Sequence, residues 1–337
     1  MEASSSLSMA SDPQTSGSRR DLWLMIGLIA LVLFGLAGLA LATGWQETWD
    51  SLTSLTFLQF LLLLALSLVN YFGRAVRWHV FARTLGLNTK FWQDARHFMG
   101  GFAMSVTPGR VGELVRMRWI RRETGWSFER TAPLVLMDRA ADLAAMALLL
   151  ALALAASGGG VYGGAPVAAL ALLGAFVVTR PGMMRLAADL GYRLSGRRAP
   201  RLFARVRRAA ASLQTFLKPG VLTLAMVLGL AGWLAEGYAF YLLLGWMGAD
   251  TSLWMALAIF IFSTLAGGLT GAPGGVGGAE AAMLGLLVLD GVPLEIALPA
   301  TLIIRVTTLW FAILIGLGVF PFAEKQSLKA KHALEIN

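Results

Sequence analysis

No cysteine occurs in this chain of 337 residues. Disulfides, thiolate catalysis and thiolate metal sites are thereby excluded. Charge is scarce as well: Asp, Glu, Lys and Arg make up 14% of the residues, where a soluble domain carries about a quarter. The three histidines, His79, His97 and His332, are scattered and predict ordinary surface roles rather than a metal site. Nucleotide and hydrolase signatures are missing: there is no G-x-x-x-x-G-K-[ST], no G-x-S-x-G and no H-E-x-x-H. "GGVGGAE" fails as a dinucleotide loop because Glu280 stands where the last glycine belongs. The sequence therefore predicts no cofactor, no metal and no catalytic constellation.

What the chain has is apolar length. Hydrophobic residues make up 57% and the mean hydropathy is +0.68, well outside the soluble range. Several stretches approach the ~20 residues that cross a bilayer as helix. Full spans are predicted at about 22–42, 55–73, 131–156, 161–179, 221–244 and 297–319, giving an all-α multi-pass membrane protein. Residues 1–20 read as a disordered tail, 21–322 as one transmembrane domain and 323–337 as a second tail. The span at 22–42 carries no A-x-A-like cleavage site and reads as a retained anchor.

The net charge of +9 points away from nucleic acid once its placement is considered. "TGWQETWDSLTS", "SGGGVYGGAP", "GWMGADTS" and "DGVPLE" contain no Lys or Arg and read as outward loops. Of the 28 Lys and Arg, all but Arg139 and Arg305 fall in segments assigned to the inside, so both termini are expected in the cytoplasm. The loop 180–218 holds ten Lys and Arg and one acid, Asp189. Its Phe203, Val206, Leu213, Phe216 and Leu217 recur at helical spacing, as does the apolar part of 74–86. Both segments read either as helices on an anionic leaflet or as charge that only sets topology.

Two stretches, 91–120 and 253–289, resist assignment as ordinary spans. In the first, the uncharged "FMGGFAMSVTPG" is too short to cross and reads as a re-entrant hairpin turning at Pro108-Gly109. The second reads as a hairpin or as two further spans, which would give eight. An internal repeat favours the hairpin: "TPGRVGE" at 107–113 resembles "APGGVGGAE" at 272–280. Pro133 pairs with Pro299 and Arg139 with Arg305, both 166 residues apart, and Trp92 pairs with Trp254. The halves, about 55–157 and 221–319, would have opposite orientation. Such inverted repeats with Gly/Pro-interrupted segments point to a transporter's binding site.

Charges inside the apolar segments are costly and mark pathways or buried pairs. They are Arg110, Glu113, Asp138, Arg139, Asp142, Glu236, Glu280 and Arg305. Asp138 and Asp142 share a helical face, while Arg139 and Arg305 each sit about eight residues, ~12 Å, into their spans. The turns hold Pro108, Gly109 and Gly112 in one half and Pro273, Gly274, Gly275 and Gly277 in the other. A helix starting after either turn would aim its N-terminal N–H groups at the bilayer centre, where an anion binds well. The same features read, more plainly, as ion-pair staples and small-residue packing.

These motifs resemble the transmembrane, flippase-like region of lysylphosphatidylglycerol synthases and its stand-alone bacterial and archaeal relatives. The likeness rests on Pro108-Gly109-Arg110-Val111-Gly112-Glu113 with Arg116, on Asp138-Arg139 with Asp142, and on Pro273-Gly274-Gly275-Val276-Gly277 with Glu280. It covers about 20–322. The resemblance implies a bacterial inner-membrane protein that moves lipids such as aminoacylated phospholipid, glycolipid or hopanoid-type lipid between leaflets. The chain ends about 18 residues after its last predicted span, without the aminoacyl-transferase domain, so lipid lysylation is not expected. The expected function is ATP-independent translocation of an anionic or polar-headed lipid. Arg110, Arg139 and Arg305 would neutralise the head, and Glu113, Glu236 and Glu280 would pair with them, read cargo or carry protons. Expected partners are membrane lipids, with a second copy or a lipid-biosynthesis enzyme as further candidates. Two alternatives stay open: a lipid-modifying enzyme using Asp138, Asp142, Glu113 or Glu280, and a membrane partner of a cytosolic transferase.

Overall fold

A computed structural model describes residues 55–105, 111–157, 164–196 and 211–336, with positions 198, 200, 203, 204 and 207 between the last two. The predicted N-terminal tail and first span, the turn residues Pro108, Gly109 and Arg110, and the side chains of Gly112 and Glu113 lie outside what is described. Within the described residues the chain is helical and contains no strand. The helices are α1 (Phe57–Leu85), α2 (Phe91–Gly100, with a 3₁₀ turn Gly101–Met104), α3 (Val111–Thr124), α4 (Phe128–Ala156), α5 (Gly164–Thr179) and α6 (Pro181–Leu194). They continue with α7 (Pro219–Trp246), α8 (Leu253–Leu269), α9 (Gly278–Leu289), α10 (Leu294–Arg305) and α11 (Phe311–Ile336).

Local chemistry sets the helix starts. Thr56 caps α1, Ser127 caps α4 and Ser252 caps α8, each accepting from a first-turn backbone N–H. Pro219 opens α7, where a missing N–H costs nothing. Four helical stretches are long and apolar enough to cross a membrane: α1, α4, α7 and the continuous run Leu294–Ala333. Their outward faces carry exposed Leu58, Phe72, Leu152, Val227 and Leu314, a distribution that lipid tolerates and water does not.

Two departures from the predicted spans have physical causes. α1 runs to Leu85, twelve residues past its predicted end at 73, because Arg74 and Arg77 find carboxylate partners inside the bundle. The segment 74–86 is therefore no leaflet-surface helix: Arg77, Trp78, Phe81 and Ala82 are buried. The helix that carries the last predicted span does not stop near 319. It continues as helix to Ile336, with Ala323 and Ser327 buried against the rest of the chain.

The element order repeats: long helix, short helix, short helix, long helix. Starts at 57, 91, 111 and 128 recur at 219, 253, 278 and 294, a shift of 162–167 residues. Trp92 and Trp254 are each the second residue of their helix, and Pro133 and Pro299 each the sixth. A helix-interior proline removes a backbone donor and frees a carbonyl, so the helix ladder is interrupted at the same place in both halves. Helix approach is close where side chains vanish. A Cβ on Gly237 would stand 2.1 Å from Leu257 Cδ1, and one on Gly316 would stand 2.2 Å from Ala103 N. Such contacts, typical of membrane helices, pull α7 onto α8 and α11 onto the 3₁₀ turn.

At one end of the bundle a polar lattice ties α2, α3 and α11 together. Glu123 receives Arg96 at 2.6 Å, His97 at 3.0 Å and the Gln93 amide. Glu324 receives Arg122 at 2.6 Å, Trp119 Nε1 at 2.7 Å and Arg118 at 3.1 Å. His97 is fully buried and stacked on Trp119, and His79 holds the buried Asp94, so neither is the surface residue the sequence predicted. Burial opposes ionisation of Glu123, but His97, Gln93 and Arg96 outweigh it and hold this carboxyl below its ordinary range. A lowered carboxylate pKa stabilises the fold above the unfolded value of about 4.3 and ceases to do so as pH falls through the folded value. Glu123→Gln is therefore expected to cost about 1.5–3 kcal/mol at neutral pH, with the gap to wild type closing below about pH 4. Thermal unfolding in detergent across pH checks this.

Candidate functional site

The charged interior has two parts. The first is a buried ion cluster between α1 and α4. Arg77 Nη2 lies 2.6 Å from both Asp138 Oδ1 and Asp142 Oδ1, and its Nε donates to Asp138 at 3.1 Å. Arg74 Nη2 reaches Asp142 Oδ2 at 2.7 Å. Asp138 and Asp142 are one turn apart, so a single guanidinium spans both. Arg139, the residue between them in sequence, turns off that face and approaches the two carboxylates at 3.6 and 3.8 Å. Its side chain is 31% exposed while Arg77 is 1% exposed.

The second part is the turn between α8 and α9. Gly274, Gly275 and Gly277 take φ of 64, 68 and 84°, which only glycine adopts without strain, so the chain reverses within a few residues. Glu280 accepts the Gly277 N–H at 2.7 Å and so fills the anion position at the start of α9 with a carboxylate of the chain itself. Arg305, the last residue of α10, donates to Glu280 Oε1 at 2.6 Å and to the Gly274 carbonyl at 3.2 Å. The sequence predicted that this helix start binds a ligand anion. In the structure Glu280 already occupies it. Directly after Arg305 the helix widens to a π-turn, Val306–Trp310, where the Thr308 carbonyl accepts from the Tyr71 hydroxyl of α1. Such π-turns recur at functional sites.

Between the two parts lies a cavity of about 200 Å³. The first hairpin contributes Gly101, Met104 and Ser105, and the second contributes Gly268, Ala272, Gly274, Gly275 and Ala279. Arg116 of α3, Arg139 of α4 and Arg305 of α10 complete it, and no carboxylate among the described residues lines it. Arg116 is held flat against aromatics, its guanidinium carbon 4.2 Å from the Phe98 ring centre and 5.6 Å from that of Phe102. Gly101 makes room for it: a Cβ there would stand 2.1 Å from Arg116 Nε.

The predicted site residues thus separate. Arg116, Arg139, Arg305, Gly274 and Gly275 share the cavity, whereas Asp138 and Asp142 face α1. Glu280 stands behind Arg305. Glu236 is buried in α7, in the electrostatic field of Arg74, Asp142 and Arg305 and beside Asn70, with no cation within ion-pair distance among the described residues. Arg110, Pro108 and Gly109 lie outside the described residues, as do the side chains of Glu113, Gly112 and Pro273. The sequence missed Arg74 and Arg77. The one signal for them was their spacing, since residues 74 and 77 share a helix face with apolar neighbours on both sides.

With this geometry in view, comparison with known proteins is direct. The family model for the lysylphosphatidylglycerol synthase TM region matches residues 24–316. The chain belongs to that family. It is 25% identical over 320 residues to a "UPF0104 membrane protein" of Methanothermobacter thermautotrophicus, covering 88% of this chain and 94% of the relative. A further match to a "UPF0104 membrane protein" of the same organism is 34% identical over 105 residues, spanning 31% of this chain and 30% of the relative. The family is one of membrane proteins, and the apolar helices of this chain agree with that.

The division between staple and cavity wall is measurable. Arg77→Ala strands two buried carboxylates and should cost about 3–5 kcal/mol. Arg139→Ala removes a side chain that is 31% exposed and should cost less than about 1 kcal/mol. Thermal unfolding of both variants in the same detergent distinguishes them, and equal losses would place Arg139 in the staple.

Proposed function

We propose that the protein is a lipid translocase of the bacterial inner membrane that passes an anionic lipid head through the arginine-lined cavity while the tails stay in the bilayer. The observation that carries this reading is the cavity itself: three guanidinia from three helices, walled by both hairpin units, with no described carboxylate among them. Guanidinium forks match phosphate oxygens two at a time, and a phosphate or phosphodiester head is the ligand that suits them. The volume supports a head without tails, since about 200 Å³ holds roughly seven waters at ~30 Å³ each.

Lengths and charge support one topology. α9 has 12 residues and reaches ~18 Å, short of a ~30 Å hydrocarbon core, so α8–α9 is read as a re-entrant hairpin entering from outside. α2 and α3 form its counterpart from the cytoplasm, with both chain termini on that side. Movement of one repeat against the other would open the cavity to each leaflet in turn. Glu236, an interior carboxylate with no ion pair among the described residues, is the candidate carrier of a coupled proton. The acid/base enzyme reading fits less well. It needs a carboxyl at the cavity wall, and Asp138, Asp142 and Glu280 are engaged by arginines behind it.

The test is a leaflet-accessibility assay in proteoliposomes with labelled phosphatidylglycerol. Arg139→Gln should slow translocation about ten- to hundredfold, the loss of one charge-assisted contact, with the fold intact. Arg305→Ala should slow it at least as much, because it also releases the α8–α9 turn. Absence of movement of any anionic lipid would end the translocase reading, and unchanged rates in Arg139→Gln would end the assigned role of the cavity.

A further inference from the structure

The segment 180–207 leads away from the cavity and carries a surface of its own. α6 shows exposed Met183, Leu186, Leu190 and Leu194, the last three 68%, 55% and 79% exposed. At 100° per residue these four fall within an arc of roughly 80°. The other side of the helix is covered. Ala188 is buried, Tyr192 packs on the Phe203 ring at 5.5 Å, and Gly191 lies under the same ring. Asp189 is neutralised by Arg207 at 2.6 Å.

The charge beside the stripe is of one sign. Arg180, Arg185, Arg193 and Arg198 are exposed, and Asp189 is the only acid in the segment. The helix follows α5 after one extended residue, Arg180; Leu170, Leu173 and Phe176 of α5 are exposed too, and Arg180 lies over the Phe176 ring at 5.0 Å. Leu213 and Phe216, which the sequence placed with this amphipathic surface, belong instead to the protein core, packed near Phe81. The apolar stripe is thus a property of α6 alone, and nothing among the described residues covers it.

We propose that α6 lies in the headgroup layer of an anionic leaflet, with Leu186, Leu190 and Leu194 immersed and Arg180, Arg193 and Arg198 at the level of the lipid phosphates. An in-plane helix with leucines on one face and arginines along its margins has this binding mode, and long arginine stems reach the headgroups while their apolar parts stay low. The attraction depends on lipid charge, so α6 reads the anionic content of the leaflet from which the cavity would be loaded.

The test does not involve transport, so its outcome is separate from that of the translocase reading. Because the chain contains no cysteine, single cysteines at 185, 186, 190 and 194 can each carry a nitroxide label in the full-length protein. The protein is reconstituted in phosphatidylcholine vesicles with and without phosphatidylglycerol. The labels at 186, 190 and 194 should lie about 5–10 Å below the phosphates in the anionic vesicles, accessible to oxygen and shielded from a water-soluble nickel complex. The label at 185 should stay open to nickel. Replacing Arg193 and Arg198 by Gln should lower the ratio of immersed to water-exposed signal roughly fivefold per arginine. Nickel access at 190 equal to that at 185 would overturn the proposal. Shielding from both reagents would show that a second protein surface covers the stripe, and immersion independent of phosphatidylglycerol would overturn the anionic assignment.

Discussion

The structure depends on one guanidinium. Arg77 lies in the apolar interior and holds Asp138 and Asp142 at 2.6 Å each, with Arg74 completing Asp142. Isolated, any of these charges would be expensive at that depth. Together they place α1 against α4 at one register, because a slip of a single residue would move both carboxylates off the face that meets Arg77. Arg139 follows Asp138 and so points about 100° away from the staple, which is where the cavity lies. An arginine at the cavity wall is a consequence of two aspartates that face elsewhere.

The second half solves the same problem differently. Arg305 occupies the place of Arg139 in the repeat, six residues after a helix-interior proline. Its helix has no aspartate neighbours, and its partner is Glu280, one hairpin away, together with the Gly274 carbonyl. The first arginine is positioned by its own helix and the second by the turn it faces. Arg305 is therefore the one whose conformation reports on the α8–α9 turn. The Tyr71 hydroxyl on the Thr308 carbonyl adds a direct link from α1 to the π-turn after Arg305, so the two halves are joined beside the cavity.

Much of this was legible in one dimension. The apolar runs placed α4 and α7 to within about three residues, and the Pro/Gly interruptions placed the turns. The matched Pro133/Pro299 and Arg139/Arg305 pairs announced a repeat that the element starts bear out. What could not be read was pairing across distance. Arg74 and Arg77 looked like inside-leaflet charge because hydropathy records that a residue is basic and not that a carboxylate 61 to 68 residues later receives it. His97, Leu213 and Phe216 misled for the same reason. Each sits in a locally polar or basic stretch, and its burial comes from α1, α2, α3 or α4 packing over it.

The proposed route for the lipid head gains its physical sense from what the cavity replaces. A phosphate leaving water loses strong hydration, and a bare apolar interior would return nothing. Three guanidinia, two of them already held by aromatic faces or by a carboxylate and a turn carbonyl, stand in for that water with little reorganisation. The walls between them are mostly glycine, alanine, serine and threonine, which bring backbone close, with Met104 as the one long apolar side chain in the lining. Arginine suits this better than lysine, since its weaker hydration makes its own burial less costly. The staple around Arg77 then has a second consequence. It consumes the negative charge of Asp138 and Asp142, which lie one residue and three residues from Arg139, and so keeps the cavity electropositive where the phosphate would pass.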